Sequence, residues 1–237
     1  MSWLGRFLRR PPSLASNDAA ALASYRAQAQ PELNTTLSAQ RVVVVDVESS
    51  GLDPYRDRLI SVAGLAVRDG LVRLDEGFES VLRQEQPSEE QNILIHGIGG
   101  AAQREGRHPA GTLSAFLAFA GKDPLIAFHA DFDRILIERA TASVLGMKPD
   151  NAWLDLALLA PALFPKHAAS ARNLDDWLSL FGIENHARHN ALADTLATAQ
   201  LLLAVLAAAK GLGLATWADL ARLQKDQRWL NSSGRVV

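Results

Sequence analysis

The sequence contains no cysteine. That absence excludes disulfides, thiolate metal sites and cysteine nucleophiles, and it suits a reducing compartment, so a cytoplasmic location is expected. There is no excess of basic residues either: 24 Lys and Arg stand against 26 Asp and Glu, a formal net charge of −2. A global attraction to nucleic acid is thereby excluded, and any such contact needs a local patch or a bound cation. No membrane span is expected, because the longest apolar stretch, Ala191 to Ala209, is broken by Asp194 and Gln200 and reads as a buried helix. The opening "MSWLGRFLRRPP" sets Trp3, Leu4, Phe7 and Leu8 among Arg6, Arg9 and Arg10 but lacks the long apolar core of a signal peptide. It reads as a frayed terminus, with an amphipathic turn against the body, a partner or an anionic surface as the alternative. Internal repeats and low-complexity tracts are absent.

What is present is ample for a core: 48% of the 237 residues are hydrophobic, enough for one domain with extensions. Residues 1–38 read as an N-terminal extension with a helical piece over 17–30 and the polar linker "PELNTTLSAQ". The main domain is expected over 39–209, and 210–237 as a helical tail. Strands are expected at 42–46, 59–67 and 71–82, the last two joined through the "RDG" turn, which makes the start antiparallel. Helical spacing follows at 109–120, then a short buried strand "PLIAF" at 124–128. Helices are expected over 131–145, 154–163, 173–181, 190–209 and 214–230. This order describes an α/β fold with a mixed sheet covered by helices.

Three groups of acids stand out against that scaffold. Asp46 and Glu48 lie two apart in "VVVVDVESSGLDP", so they share one strand face, about 7 Å apart along the backbone. They sit at a strand's carboxyl end, where open α/β sheets bind ligands. Two carboxylates at one point repel, and a divalent cation with a taste for hard oxygen ligands, Mg²⁺ or Mn²⁺, removes the repulsion. The alternative is a strand-end acid capping the next turn. In "FHADFD", Asp131 fits an N-cap and Phe132 the core, and Asp133 is the harder acid to dismiss as ordinary helix N-terminal stabilisation. In "RHNALADT", Asp194 lies on a closely packed helix. His189, five residues earlier, converges with it only from the preceding loop, with Asn190 near the cap. There a histidine is placed to act as a general base, against the alternative of an exposed loop histidine.

Asp-x-Glu at a strand end, Asp after a second strand and His-x₄-Asp on a late helix resemble the histidine-containing DEDD exonucleases. This is the DnaQ-like family of the replicative proofreading subunit, ribonuclease T and oligoribonuclease. The resemblance covers residues 41 to about 206 and includes "DVESSGLDP", "HGI", "FHADFD", "NLDDWL" and "HNALADT". It implies a ribonuclease H-like mixed sheet, antiparallel in its first three strands and then parallel. It also implies 3′–5′ exonuclease activity in which Asp46, Glu48, Asp133 and Asp194 hold two Mg²⁺ or Mn²⁺ ions and His189 takes a proton from the attacking water.

By the same resemblance, Ser49, Ser50, Gly51 and Leu52 meet the terminal nucleotide through backbone amides and an apolar wedge, and His96, Gly97 and Ile98 flank its base. His129 stands where the family usually has asparagine and Phe128 where it has histidine, so nucleotide positioning beside Asp133 departs from the pattern. Asp155 reads as a helix cap and His186 as a surface loop residue. Expected partners are single-stranded or frayed 3′ ends of DNA, with short RNA as the alternative, and a polymerase or a second copy as candidate protein contacts. Because only residues 210–237 follow the main domain, a stand-alone or accessory enzyme is expected rather than a core replication subunit. A non-catalytic nucleic-acid- or polymerase-binding module is the competing reading. "WLSLF" at 177–181 reads as packed helix, and Trp217 and Trp229 are left between body packing and a dimer contact.

Overall fold

The valine run 42–45 is β-branched throughout, a composition that suits a strand buried on both faces, and it forms the heart of the sheet. The computed structural model describes residues 14–185 and 187–233; the opening segment 1–12 and His186, both read above, lie outside the described residues. Among the described residues there are five strands: β1 (Val42–Ser49), β2 (Leu59–Arg68), β3 (Leu71–Val81), β4 (Leu125–Ala127) and β5 (Trp153–Asp155). Before and between them lie α1 (Ser16–Ala27), α2 (Glu90–His96), α3 (Gly100–Glu105), α4 (Pro109–Ala120) and α5 (Ala130–Leu145). After them come α6 (Leu156–Leu163), α7 (Leu174–Leu180), α8 (Ala191–Gly211) and α9 (Trp217–Ser232).

The sheet order is β3-β2-β1-β4-β5. β1–β2 and β2–β3 pair antiparallel, whereas β1–β4 and β4–β5 pair parallel. This is the mixed sheet expected from the sequence, including its ribonuclease H-like order of antiparallel then parallel strands. Alternation along β1 divides the core in two. Val42 and Val44 face a layer built from α6, α7, α8 and α9, while Val43, Val45 and Val47 face α1, α4 and α5. The interior strand β2 is buried over nine of its ten residues, and the edge strand β3 is largely exposed.

α8 is long and apolar enough to cross a membrane by length and composition. Here it is a core helix: Leu201, Leu202 and Val205 are fully buried in the layer that holds Val42 and Val44, and Thr195 and Thr198 are buried as well. Trp177 of "WLSLF" is buried against Phe164 and Phe181, as expected of a packed helix.

Several boundaries differ from the sequence reading for physical reasons. Residues 153–155 pair with β4 as a strand, and the helix begins only at Leu156, capped by the Asp155 carboxylate, which accepts from Ala157 N at 2.9 Å. α5 starts before Asp131, because His129 takes the N-cap position in a left-handed conformation (φ 64°). Asp131 is therefore not the cap; it lies in the first turn and pairs with Arg134 at 3.0 Å. The tail helix opens on a capping box, Thr216 with Asp219, and Trp217 is buried whereas Trp229 is exposed.

α1 is fastened to the body by Leu22 in the core, by Ser114, which donates to Asp18 Oδ1 at 2.7 Å, and above all by Tyr25. Tyr25 is fully buried, its hydroxyl donates to Asn151 Oδ1 at 2.7 Å and accepts from Asp150 N at 3.2 Å, and Lys122 Nζ lies 3.8 Å from its ring centroid. Tyr25→Phe removes the hydroxyl and strands these buried partners, and is expected to cost about 1–3 kcal/mol. Tyr25→Ala adds a cavity and is expected to cost about 3–5 kcal/mol. Urea denaturation of both variants checks the order; equal stability of Tyr25→Phe and the parent would remove the hydroxyl from this account.

Candidate active site

The face of β1 that carries Val42 and Val44 continues through Asp46 and Glu48, so the strand's period of two aims both carboxylates at α8. The strand ends there: the pairing with β2 slips between Glu48 and Ser49, and the chain turns away into the 50–58 loop. On α8 the facing residue is Asp194, in the first helical turn, buried at 4% exposure. Oxygens of Asp46, Glu48 and Asp194 lie within 4.8 Å of one another.

Asp194 is held from the loop before α8. Arg188 Nη1 donates to its Oδ1 at 2.6 Å, Asn185 Nδ2 donates to the same oxygen at 2.5 Å, and His189 N donates to Oδ2 at 3.0 Å. Arg188 also pairs with Asp175 of α7, Nε to Oδ1 at 2.6 Å, so one guanidinium ties α7 to the site. The backbone of His189 is left-handed (φ 61°), which leaves its imidazole exposed at the cavity while Asn190 caps the helix by accepting from Ala193 N at 3.0 Å. Arg188 and Asn185 were not read from the sequence. The only signal for them is their position in "ENHARHN", beside His189.

Asp133 arrives from the other side of the sheet. It lies in the first turn of α5, immediately after the parallel strand β4, and is 5% exposed. The preceding His129, also left-handed, has its backbone N–H bound to Asp155 Oδ1 at 2.9 Å. Asp155 is thus the helix cap read from the sequence and also the anchor that fixes the turn before Asp133. A non-glycine residue with positive φ is uncommon, and two of them flank the two helical acids.

These residues line one cavity of about 600 Å³: Asp46, Glu48, Asp133 and Asp194, with Leu52, Phe128, His129, Phe132, Arg188 and His189 around them. Phe132 therefore does more than fill the core, since it is packed there and also reaches the cavity wall. Of the expected substrate contacts, Leu52 is 91% exposed at the rim. Ser49 and Ser50 turn inward: Ser49 Oγ donates to Gly51 O at 2.5 Å and Ser50 Oγ to Asp57 Oδ1 at 3.1 Å, while Ser50 N is bound to Arg58 O. A Cβ on Gly51 would meet the Asp57 carboxylate at 2.5 Å, so a larger residue here would displace the carboxylate that Ser50 and Asp53 N bind. His96 is not brought to the cavity. Its ring is buried, Nδ1 accepting from Ile98 N at 3.0 Å and Nε2 lying 3.2 Å from Ser88 Oγ, and it shapes the Gly97–Ile98 turn. α2 is joined to the first loop by Asn92 Nδ2, which donates to Ser50 O at 2.5 Å.

The electrostatics follow from burial. Desolvation, then the neighbouring charges of Asp133, Asp194 and Glu48, pushes Asp46 well above the usual carboxylate range. Desolvation and Asp194 raise Glu48 to about 8, with Arg188 acting in the opposite direction. Asp133 is likewise raised by burial, against the opposing effect of its own backbone and that of Val47. Three converging, desolvated carboxylates with a fourth beside them form an all-oxygen donor set, which fits hard divalent cations.

Comparison with known proteins agrees with this chemistry. The exonuclease family profile (RNase T type) matches residues 43–202. A DNA polymerase III subunit epsilon-like protein of Rhodobacter capsulatus is 32% identical over 198 residues, covering 82% of this chain and 28% of that protein. The PolC-type DNA polymerase III of Bacillus subtilis is 30% identical over 179 residues, 74% of this chain and 12% of that protein. The chain thus spans about a quarter or less of these relatives. Among solved structures, E. coli exonuclease I in complex with a dT13 oligonucleotide superposes with a TM-score of 0.62 at 18% identity, over 73% of this chain and 42% of that one. Exonuclease X in complex with 5′ overhanging duplex DNA superposes with a TM-score of 0.60 at 20% identity, over 77% and 99%.

The raised carboxylates set a direction for stability against pH in chelator. Glu48 keeps its proton in the fold up to about 8 but releases it near 4.5 when unfolded. Within that window the unfolded state binds fewer protons, so stability falls as pH rises and levels off above it. Thermal unfolding between about pH 5 and about pH 9 is expected to show this decline, a shallower one in Glu48→Gln, and a rise on adding divalent cation that is largest at the alkaline end. An identical slope in Glu48→Gln would remove Glu48 as its source.

Proposed function

The chain belongs to the exonuclease family, among its DnaQ-like 3′–5′ exonucleases, and we propose that its carboxylate cavity hydrolyses DNA at a free 3′ end to release nucleoside 5′-monophosphates. The observation that carries this reading is the convergence of Asp46, Glu48 and Asp194 within 4.8 Å, in one cavity with Asp133. Asp46 and Glu48 from β1, Asp194 from α8 and Asp133 from α5 would hold two divalent cations, Mg²⁺ or Mn²⁺, which when bound would supply charge stabilisation for the scissile phosphate and a more acidic water.

The protein groups then have separable tasks. His189, exposed at the cavity, accepts the proton of the attacking water. Its left-handed backbone is set by the bond from its N–H to Asp194, so the base and a ligand share one geometry. Leu52 at the rim is the apolar wedge against the terminal base, next to Gly51, and Ile98 and Gly97 follow His96 on the α2 side. The amide of Ser50 is already bound to Arg58 O, which leaves Gly51 and Leu52 as the proposed backbone contacts of that loop. His129 stands at the Asp133 side, its ring edge-on to Phe128 at 4.9 Å, and is the proposed contact to the penultimate nucleotide.

DNA is favoured because the relatives are named as DNA polymerase III proteins and the solved neighbours were captured with DNA. A polymerase is the proposed protein partner on the same names.

The test uses 5′-labelled single-stranded DNA, 3′-recessed duplex and short RNA of matched sequence with Mg²⁺ or Mn²⁺. A ladder shortening from the 3′ end is expected, fastest on DNA and absent with chelator or in Asp133→Ala. His189→Ala is expected to lower kcat by about 10²- to 10⁴-fold while leaving cation binding intact. No shortening of any substrate by folded, cation-loaded protein would sink the proposal, and faster RNA turnover would move the substrate class.

A further inference from the structure

α9 lies beyond residues 43–202, the segment shared with the family, yet it is bonded to Asp155 and Asp131, which adjoin the cavity residues His129 and Asp133. Gln224 Oε1 accepts from Asp155 N at 2.6 Å, and Asp155 in turn holds the backbone of His129. One turn later Arg228 pairs with Asp131 at 3.3 Å, in the first turn of α5 and two residues from Asp133. The carboxyl half of α9 is therefore fixed beside the site. Its outward positions Arg222, Lys225 and Trp229 follow at i, i+3 and i+7, on one helix face, all exposed, with Trp229 at 59%. Asp226 shares that face and opposes the two cations there.

An exposed indole flanked by Arg and Lys has the two elements that hold single strands without sequence preference: a stacking platform and phosphate contacts. In a chain of net charge −2 such a patch has to be local. We infer that the outward face of α9 is a second nucleic-acid surface, binding the single strand 5′ of the nucleotide engaged in the cavity, with Trp229 stacking on a base and Arg222 and Lys225 meeting phosphates. This rests on the exonuclease reading, and it adds a length dependence that the cavity alone does not supply.

The test compares wild type with Trp229→Ala, Lys225→Ala and Asp226→Asn in the full chain. Hydrolysis and binding are measured on oligothymidylates of about 3 and about 20 nucleotides, spanning the site sizes of single-strand binders. Trp229→Ala is expected to weaken binding of the longer strand by about tenfold and to raise its KM, with trinucleotide turnover and Tm unchanged. Lys225→Ala is expected to reduce the slope of log K against log salt by about 0.7, and Asp226→Asn to tighten binding. Quenching of tryptophan fluorescence by the longer strand, lost in Trp229→Ala, reports stacking directly. Equal affinity of wild type and Trp229→Ala for the longer strand overturns the surface while leaving the nuclease intact. A shift from dimer to monomer in Trp229→Ala with unchanged DNA affinity also overturns it, in favour of a contact between copies. Failure of wild type to hydrolyse either length would instead strike the exonuclease reading.

Discussion

Three carboxylates whose oxygens approach within 4.8 Å, in a site that water only partly reaches, repel one another strongly enough to dictate their surroundings. The protein meets that repulsion in two ways visible around the cluster. Asp46 and Glu48 have their ionisation suppressed by burial. Asp194, the acid most enclosed by donors, is bound by the Arg188 guanidinium, the Asn185 amide and the His189 backbone. What remains is a demand for further positive charge, and a divalent cation answers it more completely than a proton does, because it serves several oxygens at once.

The two helical acids are built by the same local device. Asp133 and Asp194 are each the fourth residue of their helix, where the N-terminal end of the helix dipole favours negative charge. In both cases the chain enters the helix through a histidine held at positive φ, His129 before α5 and His189 before α8. Such a conformation costs free energy in a residue with a side chain, and each is over-determined by a hydrogen bond from its own N–H to a carboxylate, Asp155 for the first and Asp194 for the second. The consequence is that both imidazoles stand at the cavity while their backbones are fixed.

How much of this could be read from the chain depends on the range of the interaction. The sheet is legible because the β-branched run at 42–45 and the "RDG" turn are local signals, and Asp46 and Glu48 share a face because side chains alternate along a strand. α8 was legible from its length. β5 was absorbed into the following helix because three residues leave no periodic trace, and the seven-residue α2 and six-residue α3 are too short to show one. Asp131 looked like a cap since nothing in "FHAD" announces a left-handed histidine; that conformation depends on Asp155, 26 residues away.

The same reasoning separates His96 from Leu52, two residues placed together by motif. Leu52 sits in a loop whose shape is set within eight residues by Ser50, Gly51 and Asp57, so its exposure follows from its neighbourhood in sequence. His96 is covered by Ser88, itself bound to the buried Gln103 of α3, and no pattern within "HGI" reports that cover. Arg188 is the extreme case. Its two carboxylate partners lie thirteen residues before it and six after it, on different helices, and only the path of the intervening loop brings them to one guanidinium. Spacing identifies the acids because they sit on regular elements, two on β1 and one each on α5 and α8. The cation that steadies them comes from irregular backbone, where spacing carries no geometry.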